Sequence, residues 1–134
     1  MKTFLLFGFL FGGGDHDFTG TYAVRGDAPN GTYTATMEIE RFDDLYKVTW
    51  TYPHCDFVAG VGIVRNKELV IGYETPAGVV VYRVTHKESP RTMEATYAGW
   101  GFDRAYSEQA VEGTPPPCVP QAPTANPHGP GLVL

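Results

Sequence analysis

The sequence lacks the features that mark a helical, nucleic-acid-binding or membrane-spanning protein. No window of about 11 residues or more keeps a 3.6-residue apolar repeat, so amphipathic helices are not expected. Charged residues make up only 19% of the chain and the net charge is -5, which disfavours a nucleic-acid partner or an electrostatic hold on anionic lipid. The longest apolar run, residues 4–11, is too short to cross a bilayer. We therefore expect no nucleic-acid partner and no membrane insertion.

Motifs that carry catalysis are also missing. The chain has no nucleophile elbow, no phosphate-binding glycine loop that opens a helix and no zinc-protease motif. His16 and His54 each lie close to an aspartate, but neither has a second pair of ligands at a spacing that suits a metal. The sequence therefore predicts a non-enzymatic protein with no cofactor and no metal site. A hydrolase of unknown type is the least favoured alternative.

What the sequence does contain is alternation of apolar and polar residues, most clearly in residues 46–52. Tyr46, Val48, Trp50 and Tyr52 share one side of this segment, while lysine and threonine occupy the other. A period of two is typical of a half-buried β-strand, because successive side chains point to opposite faces of the sheet. The chain is also rich in Tyr, Thr, Val and Gly, which favours strands joined by tight turns.

Seven further segments resemble this one, and turn-forming residues separate them. The candidate strands are residues 18–25, 32–40, 46–52, 57–64, 69–74, 79–85, 93–97 and 105–111. Short, regularly spaced strands indicate a sandwich or a barrel. No connection is long enough for a Greek-key crossover, and eight strands in a simple meander close naturally into a small barrel. We predict an all-β, eight-stranded, antiparallel up-and-down β-barrel, with a β-sandwich as the alternative.

The two ends of the chain differ from the predicted barrel domain, residues 18–113. Residues 1–17 combine one lysine, a short apolar run and three glycines, the layout of a secretory signal peptide, although no Ala-x-Ala cleavage pattern is present. Residues 114–134 hold seven of the eleven prolines and no apolar periodicity, so an extended or disordered tail is expected. These features predict a single-domain protein that is secreted or periplasmic and monomeric.

Cys55 and Cys118 are the only cysteines of the chain. In an exported protein such a pair suggests a disulfide, which would pin the proline-rich tail to the end of the 46–52 strand. Two free thiols in a cytosolic protein or an intermolecular bridge are the alternatives. A catalytic role for Cys55 beside His54 is disfavoured, because neighbours along a strand point to opposite faces.

Tyrosines and tryptophans lie on seven of the eight predicted strands, with three of them in residues 46–52. A barrel of eight strands either fills its interior with such side chains or leaves room for one small ligand, and a packed aromatic core is the simpler expectation. If a pocket exists, we expect Trp50, Tyr52 and Tyr82 in its wall, with Arg83 or Arg104 as a polar anchor.

Two surface features suggest a different function. Arg25-Gly26-Asp27 is a cell-adhesion tripeptide on what the sequence predicts to be a hairpin loop, although Gly and Asp are also common turn residues. Trp100 lies in a glycine-flanked loop, where a large aromatic side chain is expected to be exposed and available to a partner. An adhesion or host-matrix binding module that uses these loops is thus the alternative to ligand binding.

The strand pattern over about residues 18 to 112 resembles a group of small exported bacterial proteins, mostly uncharacterised, some with a loose fibronectin-binding label. The segments that carry the resemblance are Gly20-Thr21-Tyr22, Gly26, Pro29, Gly31-Thr32-Tyr33, residues 46–50, 60–63, 69–73 and 79–82, and Glu108. The chain departs from that pattern at Ala35 and Ala95, which replace the usual glycines. The resemblance brings no catalytic residues. Lipocalin and avidin barrels are architectural analogies only, and Tyr22 stands where an avidin-like opening has tryptophan.

Together these features predict an exported, non-enzymatic β-barrel that binds a small ligand or a macromolecular surface such as that of a protein. The identity of the ligand does not follow from the sequence.

Overall fold

The computed structural model describes residues 17–74 and 77–121. These residues form eight strands and no helix: β1 Gly20–Ala28, β2 Gly31–Phe42, β3 Leu45–Thr51, β4 Phe57–Arg65, β5 Glu68–Tyr73, β6 Gly78–His86, β7 Thr92–Gly99 and β8 Tyr106–Glu112. Each strand is antiparallel to the next, and β8 pairs with β1, so the sheet closes on itself. The predicted up-and-down barrel is confirmed, and the sandwich is excluded.

The predicted signal peptide lies outside the described residues except for its last member, Asp17, and so does most of the predicted tail. The barrel strands themselves start or end within about three residues of the predicted bounds, as expected for strand ends read from sequence.

The predicted loop at Arg25-Gly26-Asp27 was wrong. These residues belong to β1 and pair with Thr34, Tyr33 and Thr32 of β2, and the chain turns only at residues 29–30. Glycine and aspartate are turn formers, but here Gly26 and Asp27 continue the strand and pair with β2, and the absence of a side chain at Gly26 leaves space for an aromatic ring of β2. The tripeptide is therefore part of the barrel wall and is not presented as a loop.

One end of the barrel is filled and closed. The segment before β1 places Phe18 inside this end, where it is only 1% exposed and meets the Tyr46 ring edge-on at 6.1 Å. Tyr22 donates a hydrogen bond from its hydroxyl to the Phe18 carbonyl at 3.0 Å, and Arg91 donates to the Asp17 carbonyl at 2.6 Å. The side chains that pack this half include Met37, Ile39, Val48, Leu69, Ile71, Tyr82 and Met93.

Two inward-facing glycines make β4 unusual. A Cβ atom added to Gly60 would lie 2.6 Å from the Gly72 carbonyl oxygen of β5, and one added to Gly62 would lie 2.9 Å from the Leu69 side chain. The glycines thus allow a close approach of the neighbouring strand. The opposite, more apolar face of β4 points outward, and Val61 there is 56% exposed.

The predicted disulfide is confirmed. Cys55, in the loop between β3 and β4, is bonded to Cys118 of the proline-rich segment, with their Cα atoms 5.2 Å apart. Val119 adds a backbone hydrogen bond to the Pro53 carbonyl at 2.8 Å. Residues 114–121 contain neither helix nor strand, and they lie against the outside of β1, β2 and β3.

Candidate ligand-binding site

The half of the barrel opposite Phe18 is not filled. It contains a cavity of about 250 Å³ near the end where β1, β3, β5 and β7 finish. Half-buried residues at these strand ends and in the β7–β8 loop surround the mouth, and deeper residues of β2, β3, β6, β7 and β8 complete the wall. The lining consists of Ala28, Tyr33, Trp50, Tyr52, Val58, Tyr73, Val80, Tyr97, Phe102 and Glu108.

Glu108 is the one charged residue in this lining, and only 5% of it is exposed. It lies on the inward face of β8 between Tyr106 and Ala110. Its Oε1 accepts a short hydrogen bond from the Tyr33 hydroxyl, and its Oε2 accepts one from Trp50 Nε1 at 3.1 Å. A carboxylate has about four acceptor positions, so each oxygen retains capacity for a further donor.

Gly26 makes the Tyr33–Glu108 contact possible. On the barrel wall, Gly26 of β1 pairs with Glu108 on one side and with Tyr33 on the other. The Tyr33 ring crosses the backbone of Gly26 to reach the carboxylate, and a Cβ atom there would lie 2.9 Å from the ring carbon Cε2 and closer still to the hydroxyl. Gly26, which suggested a turn in the sequence, thus packs directly against the Tyr33 ring because it has no side chain.

Burial controls the protonation of Glu108. Removal from water disfavours the charged form and raises the pKa of this carboxyl to about 7, while the hydrogen bonds from Tyr33 and Trp50 offset only part of the rise. A buried carboxyl with a pKa near neutrality inside a cavity is typical of functional sites.

The tyrosines around the cavity stay neutral. Burial, with a smaller contribution from the nearby Glu108 carboxylate, raises the pKa of Tyr52 to about 12. Burial also raises the pKa of Tyr33, Tyr73 and Tyr97, with the Glu108 charge contributing at Tyr33 and Tyr73. The cavity therefore offers neutral aromatic surface and one titratable acid.

The rings around the cavity form two groups of edge-to-face contacts. Tyr33 meets Tyr52 at a centroid distance of 6.0 Å and Tyr97 at 6.3 Å, and Trp50 meets Tyr73 at 6.0 Å. Tyr97 in turn packs at 6.0 Å on Phe102 of the β7–β8 loop. Aromatic pairs prefer such geometry, which stabilises each pair by about 1 kcal/mol beyond its buried area and fixes the shape of the cavity.

Of the six residues predicted to bind a ligand, the structure brings two together in this cavity. Trp50 lies in its wall on β3, and Tyr52 lies at its mouth directly after that strand. Tyr82 also points inward but belongs to the filled half, where its buried hydroxyl has no hydrogen-bond partner among the described residues.

The other three lie outside the cavity. Arg83 is on the outer face of β6 and forms an exposed ion pair with Glu94 at 3.0 Å. Arg104 stacks on the Tyr106 ring at 4.5 Å in the β7–β8 loop. Trp100 is 86% exposed and borders a broad outer depression whose lining includes Phe57, Val61 and Val79. Neither arginine lines the cavity, so its polar anchor is the acid Glu108.

Glu108 is not among the ligand-binding residues predicted from the sequence. On β8 the two faces are almost equally polar, because Glu108 and Glu112 share a face with Tyr106 and Ala110. The available signal was the position of Glu108 between two residues that fit a barrel interior, since an acid at an inward position needs partners.

The described residues show two further absences. No group of three or more His, Cys, Asp or Glu residues among them is arranged to hold a metal ion. Within the same part of the chain, no helix has the length and apolar character needed to cross a membrane.

Comparisons with protein-family models, curated proteins and solved structures find no match to the chain. The resemblance to small exported bacterial proteins thus stays a prediction.

Replacing Gly26 by Ala is expected to lower the free energy of unfolding by about 1–3 kcal/mol, as overpacking does, and to break the Tyr33–Glu108 hydrogen bond. Gly72→Ala on β5 is the matched control, because a Cβ atom there meets nothing within 4 Å. Urea unfolding of both variants measures the effect. Equal stability of the two variants would show that the Tyr33 ring does not need the space above Gly26.

Proposed function

We propose that this protein is an exported, monomeric, non-enzymatic β-barrel that binds one small ligand in the cavity around Glu108. The observation that carries the proposal is a preformed aromatic cavity whose one charged side chain is a buried carboxyl. Ligand sites are typically concave, largely apolar and supplied with a few polar groups that orient the occupant.

The division of the barrel into two halves supports this function. Phe18 and the side chains around it fill one end, whereas the inward rings of the other end surround a cavity. Native interiors rarely contain voids much larger than a water molecule, so a cavity with the volume of about eight waters is unusual as mere packing. The Cys55–Cys118 disulfide is the support for export, because such bonds persist in oxidising compartments.

Quenching of Trp50 fluorescence tests the proposal. Trp100→Phe, which changes an exposed side chain outside the cavity, first removes the second tryptophan signal. In this background, small aromatic and aliphatic compounds that enter the cavity are expected to change Trp50 emission and to raise the Tm. Val58→Phe replaces a small side chain of the cavity wall by a bulky ring that reduces the space for a ligand, and it is expected to abolish both effects.

A folded Val58→Phe variant with unchanged ligand responses would place binding elsewhere. Silence of the Trp100→Phe protein toward neutral, cationic and anionic compounds of cavity size would contradict the proposal itself.

A second candidate, adhesion to a host-matrix protein, is favoured by the exposed Trp100 and its apolar surroundings. Exposed apolar patches commonly mark interaction sites. The test is binding to an immobilised matrix protein such as fibronectin, with Trp100→Ala as the variant. Arg25→Ala, which alters the Arg25-Gly26-Asp27 tripeptide instead, is the control. Loss of binding in Trp100→Ala alone supports this function, whereas no binding by the unmodified protein rules it out.

A further inference from the structure

We infer that the ligand of the cavity is a small protonated amine, whose ammonium group is held by the Glu108 carboxylate and whose apolar body is enclosed by the surrounding aromatic rings. The inference rests on the proposed function and specifies the chemical class of the ligand. It follows from the charge, the hydrogen-bonding capacity, the lining and the size of the cavity.

The charge of the cavity lining is negative, without a compensating positive charge among the described residues. The lining contains one acid and no Lys, Arg or His among the described residues. The polar groups that face Glu108 belong to the neutral Tyr33 of β2, Trp50 and Tyr52 of the β3 end, Tyr73 of β5 and Tyr97 of β7. The residues that β1, β4 and β6 present are uncharged: Gly26, Ala28, Val58 and Val80. Ionised Glu108 therefore has no cationic partner among the residues that the structure describes, and a buried carboxylate is strongly stabilised by one.

The free acceptor capacity of Glu108 favours a ligand with N–H donors. Tyr33 and Trp50 each use one acceptor position and hold the two carboxylate oxygens in place. An ammonium group offers three donors and can occupy the remaining positions at the cavity side. Charge-assisted hydrogen bonds of this kind are shorter and stronger than those between neutral groups.

The aromatic lining suits a cation as well as an apolar body. The faces of tyrosine and tryptophan rings attract ammonium groups, and the attraction is largest where water is excluded. Tyr33, Trp50, Tyr52, Tyr73 and Tyr97 surround the space next to Glu108. A neutral or anionic ligand would leave this negative surface unused, and an anion would be repelled by the carboxylate.

The volume limits the size of the ligand. The cavity of about 250 Å³ is equivalent to about eight water molecules at 30 Å³ each. A phenyl ring with a two-carbon amine chain has nearly the same number of non-hydrogen atoms. Phenethylamine is therefore the probe of choice, and 2-phenylethanol is its neutral analogue with the same ring and chain.

Titration calorimetry and Trp50 quenching with both probes test the inference in the Trp100→Phe background. At about pH 8, phenethylamine is expected to bind roughly tenfold to a hundredfold more tightly than 2-phenylethanol, the range that a charged buried hydrogen bond contributes. At about pH 5.5 the preference is expected to fall by tenfold or more, because Glu108 becomes protonated while an alkylammonium stays charged. Glu108→Gln is expected to show no preference for the amine at either pH value, because no carboxylate is left to pair with the buried ammonium.

Each other outcome overturns a different statement. Equal binding of the two probes to the unmodified barrel would refute an amine ligand and leave a neutral-ligand site in place. A preference for the amine that survives in Glu108→Gln would refute the role of the carboxylate. Failure of both probes, together with every other compound of cavity size, would overturn the amine inference and the proposed function alike.

Discussion

Replacing Glu108 by Gln is expected to stabilise the protein above neutral pH by about 3 kcal/mol, since each unit of pKa shift corresponds to about 1.4 kcal/mol. The folded-state pKa of about 7 lies above the model value of 4.5, so the folded protein binds more protons than the unfolded chain between these values. Stability therefore falls as the pH rises from about 4.5 to about 7 and stays low above it. The amide carries no charge and escapes this loss.

The amide can also keep the local hydrogen bonds. Its oxygen accepts from Trp50 Nε1, and its NH2 group donates to the Tyr33 hydroxyl, which is able to act as an acceptor. Urea unfolding of both proteins between about pH 4 and pH 8 measures the effect. Glu38→Gln removes the same charge from the exposed face of β2 and is expected to change the curve little. Parallel curves for the unmodified protein and Glu108→Gln would contradict the buried, ionisable state of Glu108.

This gain in stability carries a functional meaning. A protein under no other constraint would be more stable with an uncharged residue at this position, and active or binding sites commonly retain groups that lower stability. A bound ammonium would reverse the penalty by pairing with the carboxylate. The expected loss of stability at the empty site and the proposed affinity for a cation thus have the same origin.

The barrel itself could be predicted from the sequence because each strand and each turn is marked by residues that are close together in the chain. Alternation in residues 46–52 and in the segments like it marks strands, and turn residues such as Asn66-Lys67 mark hairpins; both residues adopt positive φ, 53° and 67°. Eight such strands without a long crossover leave few ways to avoid exposed edges other than closure. Trp50 was correctly predicted to face the interior for the same reason.

The site could not be predicted in the same way because it depends on contacts between distant strands. Gly26 resembles a turn residue until the Tyr33 ring is seen to lie across it. Glu108 becomes distinctive only once Tyr33 and Trp50, 75 and 58 residues away, are seen to donate to its carboxylate. Likewise, alternation identifies inward residues but does not show that Phe18 fills one end while the other stays open.

Removing the disulfide is expected to be the most destabilising change outside the barrel interior. Cys55 and Cys118 are 63 residues apart, and the chain-entropy model gives about 4 kcal/mol for a loop of this length. The loss measured for Cys55→Ser with Cys118→Ser is expected to be about 2–4 kcal/mol, a fall in Tm of roughly 10 °C. It stays below the full value because the freed proline-rich segment, held by few other bonds, regains conformational entropy in the folded state.

Removal of the disulfide is also expected to affect ligand binding in the cavity. Tyr52 at its mouth accepts a backbone hydrogen bond from Cys55 and donates one to Asp56, both at 2.9 Å, so the loop that carries the disulfide also positions this ring. Ligand affinity should therefore fall in the double variant, although Glu108 and Trp50 remain in place. Truncation after Gly113 combined with Cys55→Ser is the control that separates the cross-link from the packing of the tail. A double variant with unchanged Tm would show that the barrel holds the loop without the tail.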